Sequence, residues 1–196
     1  GRIVFNVVDH IKVDIDRDGA LDLYVVNYVK YDPTIECRGD NSTPDFCGPG
    51  TFAPTMDNLY RNKGDGTFSD ISASVGINAP GKGLGVVTAD FSGDGWADLY
   101  IANDGEVNQL WINDGNGSFA DEAILRGAGF NIYGQPEASM GVVVGDANGD
   151  GYLDIFTTHL RQETNTLYLS DEYGMFADGS DAAGFGRIDL PYTGFG

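Results

Sequence analysis

Asp14-Ile15-Asp16-Arg17-Asp18-Gly19-Ala20-Leu21-Asp22 is a nine-residue loop of the form DxDxDGxxD set between two apolar runs. Two further copies follow, Asp90-Phe91-Ser92-Gly93-Asp94-Gly95-Trp96-Ala97-Asp98 and Asp146-Ala147-Asn148-Gly149-Asp150-Gly151-Tyr152-Leu153-Asp154. A hard cation such as Ca2+ takes six to eight oxygen ligands at about 2.3 to 2.6 Å. Carboxylates at loop positions 1, 3, 5 and 9, with the position-7 carbonyl, supply most of such a shell, and glycine at position 6 permits the backbone reversal that turns those oxygens inward.

The similarity among the copies runs well beyond the acids. A short apolar run follows each loop, over residues 21–27, 97–103 and 153–159, and a second is centred on Leu59-Tyr60, Leu110-Trp111 and Leu167-Tyr168. Nine residues after each of these leucines stands a phenylalanine, Phe68, Phe119 and Phe176, and two residues further an aspartate, Asp70, Asp121 and Asp178. Between leucine and phenylalanine lie residues 62–66 and 113–117, whose Asn and Gly suit hairpin turns, and the degenerate 170–174, which is expected to turn less tightly. Before loops two and three, residues 85–89 and 141–145 read as short, fully buried strands.

Each unit is therefore strand, loop, strand, link, strand, turn, strand. Four-stranded antiparallel units at such a period predict an all-β fold built of β-propeller blades, since one blade cannot bury both of its faces alone. The predicted organisation is a single propeller region over 1–196, with repeats over approximately 1–78, 79–134 and 135–191. Loop two begins 76 residues after loop one and loop three 56 after loop two; the excess falls in a Cys/Pro insertion over 30–55, between two strands. Residues 192–196 repeat the lead-in of the earlier units, so they are expected to start a further repeat. Three blades are then expected to be part of a larger propeller, or to close by swapping strands or by pairing with further copies.

Composition narrows the function classes. With 30 Asp+Glu against 11 Lys+Arg the formal net charge is -19, which argues against nucleic acid and anionic membrane surfaces as partners, because neutralising phosphate requires clustered cations. Ten of the thirty acids sit in the three loops. The 29 glycines recur at turn positions, as in a β protein with tight turns. No apolar run approaches the 18 to 20 residues of a membrane span, so no membrane insertion is expected. Cys37 and Cys47 flank nine residues, a loop easily closed by a disulfide; two free buried thiols are the alternative, and neither histidine lies near enough in sequence to suggest a metal site. A disulfide implies an oxidising compartment, extracellular, periplasmic or at the cell surface, where millimolar Ca2+ suits open loops of this kind.

DxDxDGxxD followed by Asp22-Leu23-Tyr24-Val25 or Asp98-Leu99-Tyr100-Ile101, and then by residues 59–70 (LYRNKGDGTFSD), resembles the FG-GAP/VCBS repeat family, the blade type of the integrin α-subunit propeller and of many bacterial secreted proteins. The wording of residues 59–68 and the Cys-bearing insertion look most like the repeats of the ASPIC/UnbV and cartilage-acidic-protein group. The resemblance implies Ca2+ held by Asp14, Asp16, Asp18, the Ala20 carbonyl and Asp22 in loop one. It implies Asp90, Ser92, Asp94, the Trp96 carbonyl and Asp98 in loop two, and Asp146, Asn148, Asp150, the Tyr152 carbonyl and Asp154 in loop three. Ser92 and Asn148 are neutral, so loops two and three are expected to bind more weakly. An EF-hand is disfavoured, because no glutamate stands at position 12 and the flanks are strands. The alternative without metal, a tight turn built by acids and glycine, is carried alongside.

No GxSxG, HExxH or phosphate-loop motif occurs, and the loop carboxylates are expected to be committed to metal, so no catalytic residue is assigned. His159 falls five residues after loop position 9, the slot of Asn27 and Asn103, and is expected to make a structural hydrogen bond; His10 has no partner of interest in the register. Tyr60, Trp111 and Tyr168 are expected to pack between blades rather than to stack on sugars. The expected function is a Ca2+-stabilised interaction or adhesion module for a protein or glycan ligand, with the propeller portion of a lyase-like polysaccharide-active enzyme as the alternative. Asn41 and Asn116 begin NxS/T sequons.

Overall fold

A computed structural model describes residues 7–39, 42–185 and 190–195. Three four-stranded antiparallel sheets follow one another along the chain. The first contains β1 (Val7–Val13) and β2 (Asp22–Asn27); after the short hairpin of β3 (Cys37–Arg38) and β4 (Pro44–Asp45) it is completed by β5 (Asn58–Asn62) and β6 (Phe68–Asp70), in the order β1-β2-β5-β6. The second runs β7 (Gly83–Ala89), β8 (Asp98–Asn103), β9 (Gln109–Asn113), β10 (Phe119–Asp121), and the third β11 (Ser139–Gly145), β12 (Asp154–His159), β13 (Thr166–Ser170), β14 (Phe176–Asp178). These are the propeller blades expected from the repeat. The three registers coincide: Val13 pairs with Asp22, Ala89 with Asp98 and Gly145 with Asp154, so each DxDxDGxxD loop closes the same step of its blade.

Because side chains alternate across a strand, each blade offers one row of residues to the blade before it and one to the blade after. In β8, Leu99 and Ile101 join Tyr24, Val26, Leu59, Trp111 and Phe119 in one buried cluster, whereas Tyr100 joins Phe91, Leu110, Ile155, Tyr168 and Phe176 in the next. Flanked on both sides, β8 is buried at every residue. Trp111 and Tyr168 are thus packing residues between blades, at 2% and 1% exposure.

Two local expectations are corrected. Neither residues 85–89 nor residues 141–145 are fully buried, since Val87, Thr88 and Ala89 are half-buried and Val143 is 57% exposed. Its counterpart Val87 is half-buried against the second cluster, beside blade three, and no blade among the described residues takes that place for Val143. The turn over 170–174 is no looser than the others: Asp171 N–H donates to Met175 O as Lys63 does to Thr67 and Asp114 to Ser118, and Gly174 N–H adds a bond to Asp171 O. The Asp171 carboxylate accepts from Tyr173 N–H and Met175 N–H, just as Asp114 accepts from Asn116 N–H and Ser118 N–H, so the third turn keeps the bonding of the second.

Between β2 and β5 the chain carries the insertion, closed by a Cys37–Cys47 disulfide with Cα atoms 5.2 Å apart. Its small core is Phe52, buried against Tyr31 at 5.3 Å between ring centroids. Asn116 is exposed; Asn41 lies outside the described residues, as does Gly196. Thr158 Oγ1 donates to Gly194 O, and Gly194 N–H to His159 O, so residues 193–194 run beside the end of β12.

Asp57 returns the chain from the insertion to β5. It is buried at 4% exposure and accepts bonds from Tyr24 Oη and Asn27 N–H. Burial pushes its carboxyl up to about 6, against the two hydrogen bonds that favour the ionised form. The folded chain therefore holds this proton more tightly than the unfolded chain, and its stability falls as pH rises from the unfolded value near 4 to about 6. Asp57→Asn keeps an acceptor for Asn27 and leaves the Tyr24 hydroxyl free to reverse. In urea unfolding with EDTA it is expected to be more stable than the parent by about 1 to 2 kcal/mol at pH 8 and no more stable at pH 4. A difference that does not change with pH would refute the assignment.

Candidate metal loops

All three loops sit at the same end of their blades as the hairpin turns, and three sets of main-chain bonds wind each one. At position 1, Asp14 accepts from the N–H groups of Asp18 and Gly19, at 3.2 and 3.0 Å. Asp90 accepts from Gly93, Asp94 and Gly95, and Asp146 from Gly149, Asp150 and Gly151, all at 2.7 to 3.1 Å. At position 5, Asp18, Asp94 and Asp150 accept from the N–H of Ala20, Trp96 and Tyr152. The position-6 glycines stand at φ of +86°, +87° and +92°, left-handed backbone that a side chain would strain.

Position 9 is different, because Asp22, Asp98 and Asp154 are buried at 0%, 0% and 1% exposure. One oxygen of each accepts from the loop itself: Ile15 N–H for Asp22, Phe91 and Ser92 N–H for Asp98, Ala147 N–H for Asp154. The other accepts the N–H that opens the hairpin turn of the same blade, from Asn62, Asn113 or Ser170, at 2.8 to 2.9 Å. These carboxylates staple loop to turn. Burial pushes Asp98 up to about 6 and raises Asp22, against the N–H groups that favour the charged form.

Among the described residues, the one group of three acids whose ligand atoms lie within 4.8 Å of one another is Asp14, Asp16 and Asp18. Asp22 is not part of it. Loops two and three have Ser92 and Asn148 at position 3; the Ser92 hydroxyl leans on Asp90 and the Asn148 amide nitrogen donates to Asp150 Oδ2. The side-chain donors are all oxygen, with no thiol or imidazole, which suits a hard cation.

Three features escaped sequence reasoning. Arg61, on β5, reaches across to Asp16 and Asp18. Arg17, inside loop one, instead lays its guanidinium over the Trp96 ring of loop two, 4.1 Å from its centroid, and so ties blade one to blade two. The turn residues Asn62, Asn113 and Ser170 recur in register, a signal that marked their partnership with position 9 and was read only as turn chemistry.

His159 does for blade three what Asn27 and Asn103 do for the others. Its backbone N–H donates to Asn165 Oδ1, as theirs do to Asp57 and Asn108. Its Nδ1 lies 2.5 Å from Thr164 O, matching the amide donations of Asn27 to Met56 O and of Asn103 to Val107 O. A carbonyl has no proton to give, so Nδ1 carries the hydrogen, while Nε2 lies 3.1 Å from both Ser139 Oγ and Thr157 Oγ1. With Glu137 Oε2 3.4 Å away the set is triad-like, but Ser139 is wholly buried, so no substrate reaches its hydroxyl.

Comparison with known proteins agrees with this geometry. A family model described as an FG-GAP-like repeat matches residues 14–101 and 90–157. Cartilage acidic protein 1 of Homo sapiens is 30% identical over 112 residues, 55% of this chain and 16% of that protein. Its Xenopus tropicalis counterpart is 31% identical over 106 residues, 52% of this chain and again 16% of the relative, so the match spans about a sixth of these relatives' length.

Proposed function

The chain belongs to the FG-GAP-like repeat family, and from that membership we propose that it is a calcium-stabilised propeller module of an extracellular, periplasmic or cell-surface protein. The observation that carries the reading is the Asp14, Asp16 and Asp18 cluster, repeated in outline at Asp90/Asp94 and Asp146/Asp150 on one end of three successive blades. In each loop the side-chain oxygens of positions 1, 3 and 5 and the position-7 carbonyl take the ion. The position-9 carboxylate, already committed to the main chain, contributes whatever coordination its remaining lone pairs allow. The role is structural: an ion bound by the loop fixes the joint between the first two strands of a blade.

The interaction surface lies at the opposite end, where the insertion projects. There a cavity of about 540 Å3 is lined by Tyr31, Ile35, Phe46 and Phe52 beside the disulfide, and Phe46 is 97% exposed. Such a concave, partly apolar surface suits a protein or glycan ligand. The disulfide and the affinity range of open calcium loops both favour an oxidising, calcium-rich compartment. No helix among the described residues is long and apolar enough to cross a membrane.

Calorimetric titration with Ca2+, paired with thermal melts in calcium and in EDTA, tests the metal assignment. About three bound ions and a higher melting temperature in calcium are expected, since a ligand held only by the folded state stabilises it. Zero heat and an unchanged melt would sink it.

A further inference from the structure

Loop one differs from its two counterparts both in charge and in what lies on it. It has four carboxylates, Asp14, Asp16, Asp18 and Asp22, where loops two and three have three each because position 3 is Ser92 or Asn148. From β5, Arg61 sets Nη2 in contact with Asp16 Oδ2 and 3.8 Å from Asp18 Oδ2. The residues in register with Arg61 on β9 and β13 are Ile112 and Leu169. The extra carboxylate and the arginine therefore occur in the same repeat and touch each other.

We propose that Arg61 is a built-in competitor for the cation at loop one, a counter-ion that occupies Asp16 and Asp18 until Ca2+ displaces it. The proposal rests on the calcium reading and adds what sets the affinity of one site. Two carboxylates drawn close without an ion repel each other, and the guanidinium relieves that repulsion in the metal-free chain. Calcium needs the same oxygens, so the arginine must leave before they close on the ion. Its side chain is 51% exposed, and a half-exposed ion pair is cheaply broken. Arg17, between Asp16 and Asp18 in the loop itself, is engaged on Trp96 and does not replace it. The Arg61 contact thus steadies loop one without metal, and Arg61 offsets part of the affinity that the fourth carboxylate adds.

The test isolates loop one in the full chain by Asp94→Asn with Asp150→Asn, isosteric changes that remove a charge from each of the other loops. In that background Arg61→Gln is expected to bind Ca2+ about five- to tenfold more tightly by calorimetry, as removal of a cation beside a divalent site requires. Its melting temperature in EDTA is expected to fall, and most of the affinity gain to disappear when Asp16→Asn is added. A cooperative melt in each variant reports that it is folded. Unchanged or weaker affinity in Arg61→Gln, while the parent binds calcium, overturns the competitor role and leaves the calcium reading standing. No heat from the unmodified chain overturns the calcium reading and this proposal with it.

Discussion

Replacement of Asp98 by alanine is expected to cost about 3 to 5 kcal/mol of folding stability in EDTA, a large part of the margin of an ordinary domain. The carboxylate is wholly buried and accepts three main-chain N–H groups, from Phe91 and Asn113 at 2.8 Å and Ser92 at 3.0 Å. Alanine leaves all three donors without that acceptor, two of them in the loop and one at the head of the hairpin turn. Asparagine does not rescue the site, because its amide nitrogen would face an N–H group that needs an acceptor. Working in EDTA matters: a residue that acted only as a metal ligand would lose nothing there. Asp94→Ala is the contrast, since Asp94 is exposed and accepts from Trp96 N–H. Urea unfolding of the two variants at pH 7.5, each compared with the parent, separates the cases. A loss below about 1 kcal/mol for Asp98→Ala would remove the staple and return position 9 to the ion alone.

The DxDxDGxxD spacing thus contains two kinds of acid. Positions 1 and 5 bend the loop while remaining partly or fully exposed, and position 9 pins the loop into the blade. Sequence register found the loops, the strands and the blade order because the same residue types return at the same offsets from Asp22, Asp98 and Asp154. It could not separate the two kinds of acid, since one letter serves both; only burial and the direction of the N–H groups do so. The Asn slot shows how far register reaches. It placed His159 correctly as a structural donor, although the bond to Thr164 O depends on a link whose sequence resembles neither of its counterparts. Arg61 illustrates the reverse. A single charged residue where the other repeats have Ile112 and Leu169 breaks the pattern, and a pattern-based reading passes over what is not repeated. The exposure of Val143 was invisible for a different reason: whether a strand face is covered depends on the neighbouring blade, not on the strand.

Gly127→Ala is expected to destabilise the chain by about 3 to 5 kcal/mol, against about 1 kcal/mol for Gly184→Ala. Both glycines cap a one-turn helix, Ala123–Arg126 or Ser180–Ala183, and both are left-handed, at φ of +83° and +88°. The conformational penalty for adding a side chain is therefore the same at each. What differs is the neighbouring blade. A Cβ at Gly127 would stand 2.4 Å from the backbone oxygen of Phe176, on β14 of blade three, whereas at Gly184 nothing among the described residues lies within 4 Å. Gly76 takes the corresponding place against Phe119 O, at 2.6 Å. The three glycines stand eight residues after Phe68, Phe119 and Phe176, a further term of the repeat: the phenylalanine of one blade brings its backbone against the glycine of the blade before it. An oxygen fixed in a strand cannot rotate aside, so the added methyl group must push blades two and three apart and open the cluster of Phe91, Tyr100, Leu110 and Tyr168 between them. Urea unfolding of both variants in EDTA measures the difference, which is the energetic cost of separating the blades apart from that of the left-handed turn. Equal losses at the two positions would mean that blade two and blade three do not meet at Gly127 with the closeness described.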